Sequence, residues 1–248
     1  MSGGPADQRG PAWVVLPTYD EAANIEDFVA RLRAAAPPST RILIVDDNSP
    51  DGTGKLADEI AQADSGVKVL HRPNKEGLGP AYIAGFRLAL GEGAGYVVEM
   101  DSDFSHDPDQ LPQLLAACEH ADLAIGSRYA PGGEIENWST LRRVISRGGS
   151  TYARLVLGLQ VRDLTGGFKC FRREVLEALD LDSIRSKGYA FQAELTYRAV
   201  RAGFKIVEVP ITFRERRAGA SKMDRSIVAE AAWRVPLLRL GKTGPGRS

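Results

Sequence analysis

Residues 96–106 read YVVEMDSDFSH, an apolar run that passes abruptly into acidic and polar side chains. The apolar part is typical of a buried strand. Because aspartate is rare inside strands, Asp101 and Asp103 are predicted to lie at or just beyond its carboxyl end. Ligands of open α/β sheets bind at that edge, so this stretch predicts both a fold class and the position of a site.

Asp101 and Asp103 allow two interpretations. Neighbouring carboxylates repel each other unless a cation lies between them, and their oxygens suit a hard divalent ion such as Mg²⁺ or Mn²⁺. The alternative is a polar turn that caps a helix beginning at Pro108, with Asp107 as the N-cap residue. Taken alone, the Asp-x-Asp motif favours the turn, and the rest of the chain is needed to decide.

The composition is that of an ordinary globular chain. Its 248 residues fit one large domain or two small ones, and 32 basic against 32 acidic side chains leave no net charge to draw it onto nucleic acid or an anionic membrane. Cys118 and Cys170 lie in apolar surroundings and are interpreted as reduced core residues of a cytosolic protein. No run approaches the roughly 18 apolar residues of a membrane span, and residues 1–11 are a polar tail without signal-peptide character.

Apolar runs alternate with helix patterns along the first part of the chain. This alternation favours a mostly parallel sheet with right-handed crossovers, and nearly continuous apolar strands favour a sheet covered on both faces. Gly77–Pro80 is interpreted as a helix start with Pro80 near its first position, because the dinucleotide and P-loop fingerprints are both missing. Strands are predicted at residues 12–16, 41–45, 67–70, 96–100, 121–125 and 204–213.

Three of the predicted strands end in polar or acidic clusters, at Pro17–Glu21, Asp46–Asp51 and Asp101–Ser105. Each cluster alone is explained by loop chemistry, since Asp, Asn, Pro and Gly form turns. The carboxyl ends of parallel strands meet at one edge of a sheet, so the three clusters are expected to converge. Together they indicate a nucleotide site with a metal ion.

The second half of the chain is locally basic. Residues 140–173 contain eight basic side chains and one acid, and residues 213–225 contain five and two. Solvated helix faces explain part of this, but two basic segments facing acidic strand ends indicate binding of more than one phosphate group. Residues 226–241 are mostly apolar and are predicted to be an amphipathic helical segment, lying either on a membrane or, slightly favoured, on the core or a partner. Residues 242–248 are a second tail.

Four motifs carry a family resemblance. Val-Leu-Pro-Thr-Tyr-Asp-Glu-x-x-Asn-Ile (15–25), Val-Asp-Asp-Asn-Ser-Pro-Asp-Gly-Thr (45–53), Met-Asp-Ser-Asp-Phe-Ser-His (100–106) and Ile-Gly-Ser-Arg-Tyr (125–129) resemble family 2 glycosyltransferases with the GT-A fold. Residues 136–138, 142–146, 165–168 and 219–223 narrow the resemblance to the dolichol- and polyprenol-phosphate mannose synthases of that family. The resemblance spans residues 12–223, and it implies one GT-A domain over residues 12–225 with a Rossmann-like, mostly parallel sheet flanked by helices.

The resemblance also implies an activity and a setting. The reaction would be inverting transfer of mannose from GDP-mannose to a polyprenyl monophosphate, with Mg²⁺ or Mn²⁺ as cofactor. The enzyme would lie peripherally on the cytoplasmic face of the membrane, and a membrane-embedded partner subunit is an open alternative for reaching the lipid. No nucleic acid partner is implied. Two other readings stay open: a family 2 transferase with a UDP-sugar or another acceptor, and a non-catalytic nucleotide-sugar-binding subunit.

The resemblance assigns residues to four roles. The metal is assigned to Asp101, Asp103 and Ser105, and the acceptor phosphate to Arg128, Arg142 and Ser146. The catalytic set is Asp101, Asp103, Arg128 and Arg216. The nucleotide-sugar is assigned to Pro17, Thr18, Tyr19, Glu21, Val45, Asp46, Asp47, Asp101, Ser102, Asp103, Arg216 and Lys222.

The implied chemistry agrees with these residue types. A divalent ion offsets the charge that develops on a leaving diphosphate, and Arg216 and Lys222 add positive charge there. A phosphate nucleophile has its second pKa near 6, so it needs no strong general base. Asp163 is a possible base, but Asp-Leu-Thr-Gly-Gly is better interpreted as a turn. His106 could contact the metal site, but the favoured interpretation is a residue that caps a helix.

Overall fold

The structure is a computed structural model that describes residues 9–184, 186, 188–215 and 234–240. The strands are β1 (Ala12–Thr18), β2 (Arg41–Asp46), β3 (Val67–His71), β4 (Tyr96–Glu99), β5 (Leu123–Ser127), β6 (Glu134–Ile135), β7 (Lys169–Arg172), β8 (Ile206–Pro210) and β9 (Thr212–Phe213). The α-helices are α1 (Ile25–Ala35), α2 (Thr53–Ala63), α3 (Leu78–Gly91), α4 (Leu111–Cys118), α5 (Thr140–Leu157), α6 (Arg173–Ala178) and α7 (Gly188–Arg201). Residues 234–239 are also helical.

Seven strands form the main sheet in the order β3-β2-β1-β4-β7-β5-β8. All neighbouring pairs are parallel except those of β7, which runs antiparallel to both β4 and β5. Strands β6 and β9 pair in parallel as a separate two-stranded sheet. The predicted mostly parallel α/β sheet flanked by helices is therefore confirmed.

Alternate residues of each central strand enter two different cores. Val15 and Val97 point into the layer that contains α3 and α7, whereas Val14 and Val98 point into the layer that contains α1 and α4. Both faces of the sheet are thus covered, which explains why the strands are apolar at nearly every position. In α1 the buried Ile25, Phe28, Val29 and Leu32 follow the helical repeat that the sequence shows. Both cysteines are buried and free.

Several element boundaries differ from the sequence prediction. Strand β1 continues through Pro17, because the ladder with β4 ends at the Val15–Glu99 pair and no longer needs an amide from Pro17 on that side. The predicted strand over residues 204–213 is wrong as a single element, since β8 and β9 belong to different sheets and the buried Ile211 separates them. Helix α3 begins at Leu78, so Pro80 is its third residue.

The segment near the C-terminus is described only over residues 234–240. Its Val235 and Leu238 are buried in the core, and the Arg239 Nη1 donates to the Val156 carbonyl of α5 at 2.6 Å. For these residues the structure agrees with docking on the core. Within the described ranges, no helix combines the length and apolar character needed to cross a bilayer.

Strands β1, β2 and β4 are neighbours, so their carboxyl ends lie side by side. Thr18 is in register with Asp46, and Val15 with Glu99. Strand β5 points the same way, because β7 is antiparallel to both β4 and β5. The three polar clusters therefore meet at one edge of the sheet, as predicted. Arg128, which follows β5, lies at the same edge.

Candidate functional site

The Asp101–Asp103 loop begins directly after β4 and is held by hydrogen bonds at both carboxylates. Tyr82 donates its hydroxyl to Asp101 Oδ1 at 3.3 Å, and the Ser105 amide donates to Asp103 Oδ1 at 3.0 Å. The Asp101 side chain is 37% exposed, whereas Asp103 is 5% exposed. The loop thus presents one carboxylate to solvent and keeps the other nearly buried beside it.

His106 holds the Asp101–Asp103 loop in place through its buried ring. Its Nδ1 accepts the backbone amide of Asp101 at 3.2 Å, and its ring stacks on Phe168 with centroids 5.3 Å apart. Burial lowers the pKa of His106 to about 4, which outweighs the attraction of Asp103, so the imidazole is neutral at neutral pH. His106 therefore fixes the backbone of Asp101, and the helical turn at Pro108–Gln110 is capped by Asp107, whose side chain accepts the Asp109 amide.

Strained backbone is concentrated around this edge. Asp20 (φ 56°), Asn48 (φ 57°) and Phe104 (φ 62°) occupy the left-handed region in the loops that follow β1, β2 and β4. Non-glycine residues adopt this conformation rarely and at an energetic cost, which is commonly found at functional sites. Phe104 is held in place by edge-to-face packing on Phe28, with centroids 5.1 Å apart. The packing around these loops thus stabilises a left-handed backbone conformation that these residue types adopt rarely.

The ends of β1 and β2 form the other half of the edge. Glu21 is buried, donates its amide to Thr53 Oγ1 at 2.9 Å, and accepts Asn24 Nδ2 at 2.9 Å. Asp46 accepts the Ser49 hydroxyl at 2.5 Å. These hydrogen bonds hold Glu21 and Asp46 in fixed positions at the edge of the site.

Asp47 and Tyr19 have cationic neighbours at this end of the sheet. Asp47 forms an ion pair with Arg72, and burial raises the pKa of Asp47 although Arg72 works against the rise. Lys75 Nζ lies 3.5 Å from the centroid of the Tyr19 ring. The structure brings Pro17, Thr18, Tyr19, Glu21, Val45, Asp46 and Asp47 together at the ends of β1 and β2, and their roles toward a nucleotide stay predictions.

Arg128 is buried and fixed by a two-pronged ion pair. Its Nε and Nη2 donate to the two oxygens of Asp163 at 2.8 and 2.7 Å, and Nη2 also donates to Thr165 Oγ1 at 2.8 Å. Burial alone would raise the pKa of Asp163, but the charge and hydrogen bonds of Arg128 lower it below its usual value. Asp163 is thus a buried structural partner of Arg128, which the sequence interpretation as a turn residue did not include.

The predicted acceptor-phosphate residues lie around one aromatic patch, which is formed by Tyr129 and Trp138. Ser146 Oγ accepts the Tyr129 hydroxyl at 2.8 Å, and the Arg142 guanidinium lies 4.1 Å from the Trp138 ring centroid. Arg142 also donates to Glu215 at 2.7 Å, and Arg128 lies 5.9 Å from the Trp138 ring. Arg128, Arg142 and Ser146 are therefore brought together, while their phosphate-binding role remains a prediction.

Two fully buried ionisable residues near the aspartate loop, Glu99 and Lys169, were not predicted. Glu99 and Lys169 face each other across β4 and β7, and both are fully buried. Burial raises the pKa of Glu99 to about 8 and lowers that of Lys169 to about 8, while their mutual attraction opposes both changes. Lys169 Nζ donates to the carbonyl and to the side-chain oxygen of Gln192 at 2.8 and 2.6 Å. Among the described residues, both Glu99 carboxylate oxygens lack a hydrogen-bond partner, so the Lys169 ammonium is held by Gln192 and not by Glu99.

The donor set at the edge fits a hard divalent ion. Asp101 and Asp103 offer carboxylate oxygens from one short loop, and no third His, Cys, Asp or Glu completes a ligand cluster within the part of the chain that is described. Mg²⁺ typically binds through one or two carboxylates with substrate phosphates and water, so a set of two is sufficient. Ser105 is buried next to Asp103, and its role as a metal ligand stays a prediction. Arg216 and Lys222 lie outside the described residues.

Curated relatives cover nearly the whole chain. The undecaprenyl-phosphate mannosyltransferase of Micrococcus luteus is 53% identical over 221 residues, which cover 89% of this chain and 90% of that protein. The polyprenol monophosphomannose synthase of Mycolicibacterium smegmatis is 52% identical over 90% of this chain and 84% of its own. The dolichol-phosphate mannosyltransferase of Pyrococcus furiosus is 37% identical over 88% of this chain and 60% of its own.

A solved structure and a family model complete the comparison. The glucosyl-3-phosphoglycerate synthase of Mycobacterium tuberculosis, crystallised with Mn²⁺, UDP and glucosyl-3-phosphoglycerate, superposes with a TM-score of 0.67 at 21% identity, covering 98% of this chain and 83% of that one. At that identity the likeness shows the fold alone. The model of the family described as glycosyl transferase family 2 matches residues 13–180, which is more than half of the chain. The chain therefore belongs to glycosyl transferase family 2.

Proposed function

We propose that this protein transfers mannose from GDP-mannose to the phosphate of a polyprenyl monophosphate, with inversion at the sugar carbon. One observation carries the proposal: the acidic loop at Asp101–Asp103 and the two arginines Arg128 and Arg142 lie at the same edge of the sheet. The first suits a metal-bound diphosphate, and the second suits a separate phosphate. The names of the two bacterial relatives that are more than half identical, both enzymes of polyprenyl-phosphate mannose chemistry, support it.

The proposed reaction exchanges one phosphate oxygen for another at the anomeric carbon. A lipid phosphate oxygen forms the new bond to that carbon, and the bond to the GDP β-phosphate oxygen breaks with its electron pair leaving on GDP. When bound, a divalent ion at Asp101 and Asp103 would offset this charge as a Lewis acid. The residues of the chain then bind and orient, because the ionised phosphate needs no strong base.

Arg128 is positioned for orientation by its buried contacts. Asp163 and Thr165 hold the guanidinium in one plane, so an acceptor phosphate would meet a preorganised cation. Arg142 and Ser146 lie on α5 beside the same aromatic patch and would complete the contact with the acceptor. The enzyme would work peripherally at the cytoplasmic face of the membrane, alone or with a membrane-embedded partner subunit.

A transfer assay tests the proposal directly. The full chain is incubated with radiolabelled GDP-mannose, polyprenyl monophosphate and Mg²⁺ or Mn²⁺, and label is measured in the organic phase. We expect organic-soluble label that depends on the metal and is released by mild acid, as expected for a sugar phosphate ester. Label that appears only with a UDP-sugar would show that the donor is a UDP-sugar and not GDP-mannose. The absence of label with any donor would overturn the proposal.

A further inference from the structure

Helix α5 presents an apolar face to solvent. Leu141 is 70% exposed, Val144 64%, Ile145 47% and Leu155 67%. These four side chains fall on one side of the helix, because residues three, four or fourteen positions apart point in nearly the same direction at 3.6 residues per turn. Exposure of several large apolar side chains on one face of a soluble domain marks a surface that binds something.

The charges on the same helix indicate what that partner is. Residues 140–157 contain four arginines and no acidic residue. Arg147 is exposed beside the apolar face. Two nearby carboxylates are already paired, Glu215 with Arg142 and Glu136 with Arg214. An apolar face flanked by arginines is the pattern of helices that lie in the interface of an anionic membrane.

The opposite side of α5 faces the protein and the candidate acceptor site. Ser150, Ala153 and Leu157 are buried, and Ser146 contacts Tyr129. The helix is therefore polar toward the site near its first turns and apolar toward solvent. A membrane lying against the outer face would bring lipid headgroups next to Arg142 and Ser146.

We propose that the exposed face of α5, formed by Leu141, Val144, Ile145 and Leu155, docks on a membrane surface that carries anionic headgroups. This inference rests on the proposed function for its purpose, which is to bring a lipid phosphate to the site. It places the membrane contact on α5 and not on the C-terminal segment, for which the sequence slightly favoured docking on the core and whose described residues Val235 and Leu238 are buried there.

Vesicle co-sedimentation tests the docking without any catalysis. The full chain is mixed with vesicles of about two parts phosphatidylcholine to one part phosphatidylglycerol, which contain no polyprenyl phosphate and no donor. The triple variant Leu141→Gln, Val144→Gln, Leu155→Gln should bind at least about a hundredfold more weakly, since three apolar side chains no longer leave water. The matched control, Lys55→Gln with Glu59→Gln on α2, keeps the net charge and should bind like the parent protein.

The electrostatic part of the docking has its own variant. Arg147→Gln should weaken binding to the anionic vesicles about fivefold at low salt, and it should change little on vesicles of phosphatidylcholine alone. Arg41→Gln, on the exposed first residue of β2, is the control that removes the same charge elsewhere. An equal loss for both arginines would show only a general charge effect and would overturn the assigned face.

A fluorescent label distinguishes insertion from loose attachment. The natural cysteines Cys118 and Cys170 are buried, so an environment-sensitive dye can be attached to a single exposed cysteine introduced as Leu155→Cys. Its emission should shift to the blue with anionic vesicles, while the same dye on Lys55→Cys should not respond. Equal sedimentation of parent and triple variant, together with an unshifted dye at position 155, would overturn the proposal.

A second copy of the chain is the competing occupant of this face. Analytical ultracentrifugation of the parent protein without vesicles should show a monomer over the concentrations used for sedimentation. A dimer that the triple variant abolishes would assign the face to self-association and overturn membrane docking. Because none of these measurements uses substrate, membrane docking and the proposed mannosyl transfer can fail independently.

Discussion

Asp101 and Asp103 differ in their surroundings although one residue separates them. Asp101 is open to solvent and touched by Tyr82, whereas Asp103 is nearly buried and accepts the Ser105 amide. An ion held between them would therefore contact one partly exposed and one nearly buried carboxylate. The buried carboxylate of Asp103 is the better test of the metal assignment, because the Ser105 amide holds it in place.

Replacement of Asp103 by asparagine should abolish most of the transfer activity. The amide oxygen can still accept the Ser105 amide, so the loop keeps its shape while the negative charge is lost. We expect transfer of labelled mannose to fall at least about a hundredfold, with a small change in melting temperature. Asp109→Asn is the matched control, since its side chain is 61% exposed and pairs only with Arg31 among the contacts described. Full activity of Asp103→Asn would contradict the metal-binding role proposed for Asp103.

His106 should make the stability of the protein depend on pH below neutrality. Burial lowers the pKa of His106 to about 4, whereas an unfolded imidazole titrates near 6.5. Its contribution is fully present above about pH 6.5 and is lost as the pH falls toward 4, because the unfolded state then binds the extra proton. The loss amounts to at most about 3 kcal/mol.

Urea unfolding between those pH values measures this contribution. His106→Asn keeps an acceptor for the Asp101 amide but cannot titrate, so its unfolding free energy should fall less steeply with decreasing pH than that of the parent. Identical slopes for the parent and His106→Asn would contradict the buried neutral imidazole.

The Arg128–Asp163 pair predicts a large stability cost for a small chemical change. Asp163→Asn leaves the Arg128 guanidinium buried without its counter-charge, which should lower the free energy of unfolding by about 3–5 kcal/mol. Glu177→Gln removes a more exposed ion pair with Arg173 and should cost at most about 1 kcal/mol. Equal costs in urea unfolding would show that Asp163 does not carry the charge compensation assigned to it.

At the scale of elements, two helical glycines make opposite predictions. A Cβ added at Gly148 of α5 would meet no atom within 4 Å, whereas one at Gly85 of α3 would lie 2.4 Å from Val15 Cγ1. Gly148→Ala should stabilise the protein by roughly 0.5–1 kcal/mol through helix propensity. Gly85→Ala should destabilise it by about 1–3 kcal/mol, because α3 must move away from β1. Thermal and urea unfolding measure both, and the same sign for the two would contradict the packing described.

Long apolar elements were predictable, and short polar ones were not. Strands β1, β2 and β4 follow from their apolar runs, and α1 from its helical repeat. Strand β7 was missed because Lys-Cys-Phe-Arg is short and begins and ends with charges. Its place inside the sheet depends on contacts that are distant in sequence, since Lys169 Nζ donates to two oxygens of Gln192 on α7. Only tertiary pairing makes a fully buried lysine acceptable there.

Much of the candidate site was also predictable, for a topological reason. In a parallel sheet the strand ends meet whatever the spacing in sequence, so the clusters after β1, β2 and β4 had to converge. Ion pairs between side chains could not be predicted in this way, because they depend on the geometry of the folded chain. Asp163 resembled a turn residue because Asp-Leu-Thr-Gly-Gly has turn composition, and nothing near it in sequence names Arg128 as its partner.

For the whole molecule, ligand binding should appear as added stability. GDP with Mg²⁺ or Mn²⁺, at about a hundred times its dissociation constant, should add about 2.7 kcal/mol and raise the melting temperature by roughly 5–10 °C. Chelation of the metal should remove most of this rise if the diphosphate binds through Asp101 and Asp103. UDP at the same concentration is the comparison, and a rise equal to or larger than that with GDP would contradict the proposed donor.

The antiparallel insertion of β7 determines when the sheet becomes complete during synthesis. Strand β4 ends at Glu99, but its neighbour β7 ends at Arg172, so one side of β4 has no partner until 73 further residues have been made. At ordinary translation rates this takes roughly 4–15 s, during which an apolar strand edge is open to other nascent chains. The ribosome-bound chain would thus pass through an aggregation-prone stage that ends only when Lys169 reaches Glu99, and slow codons between those positions would lengthen it.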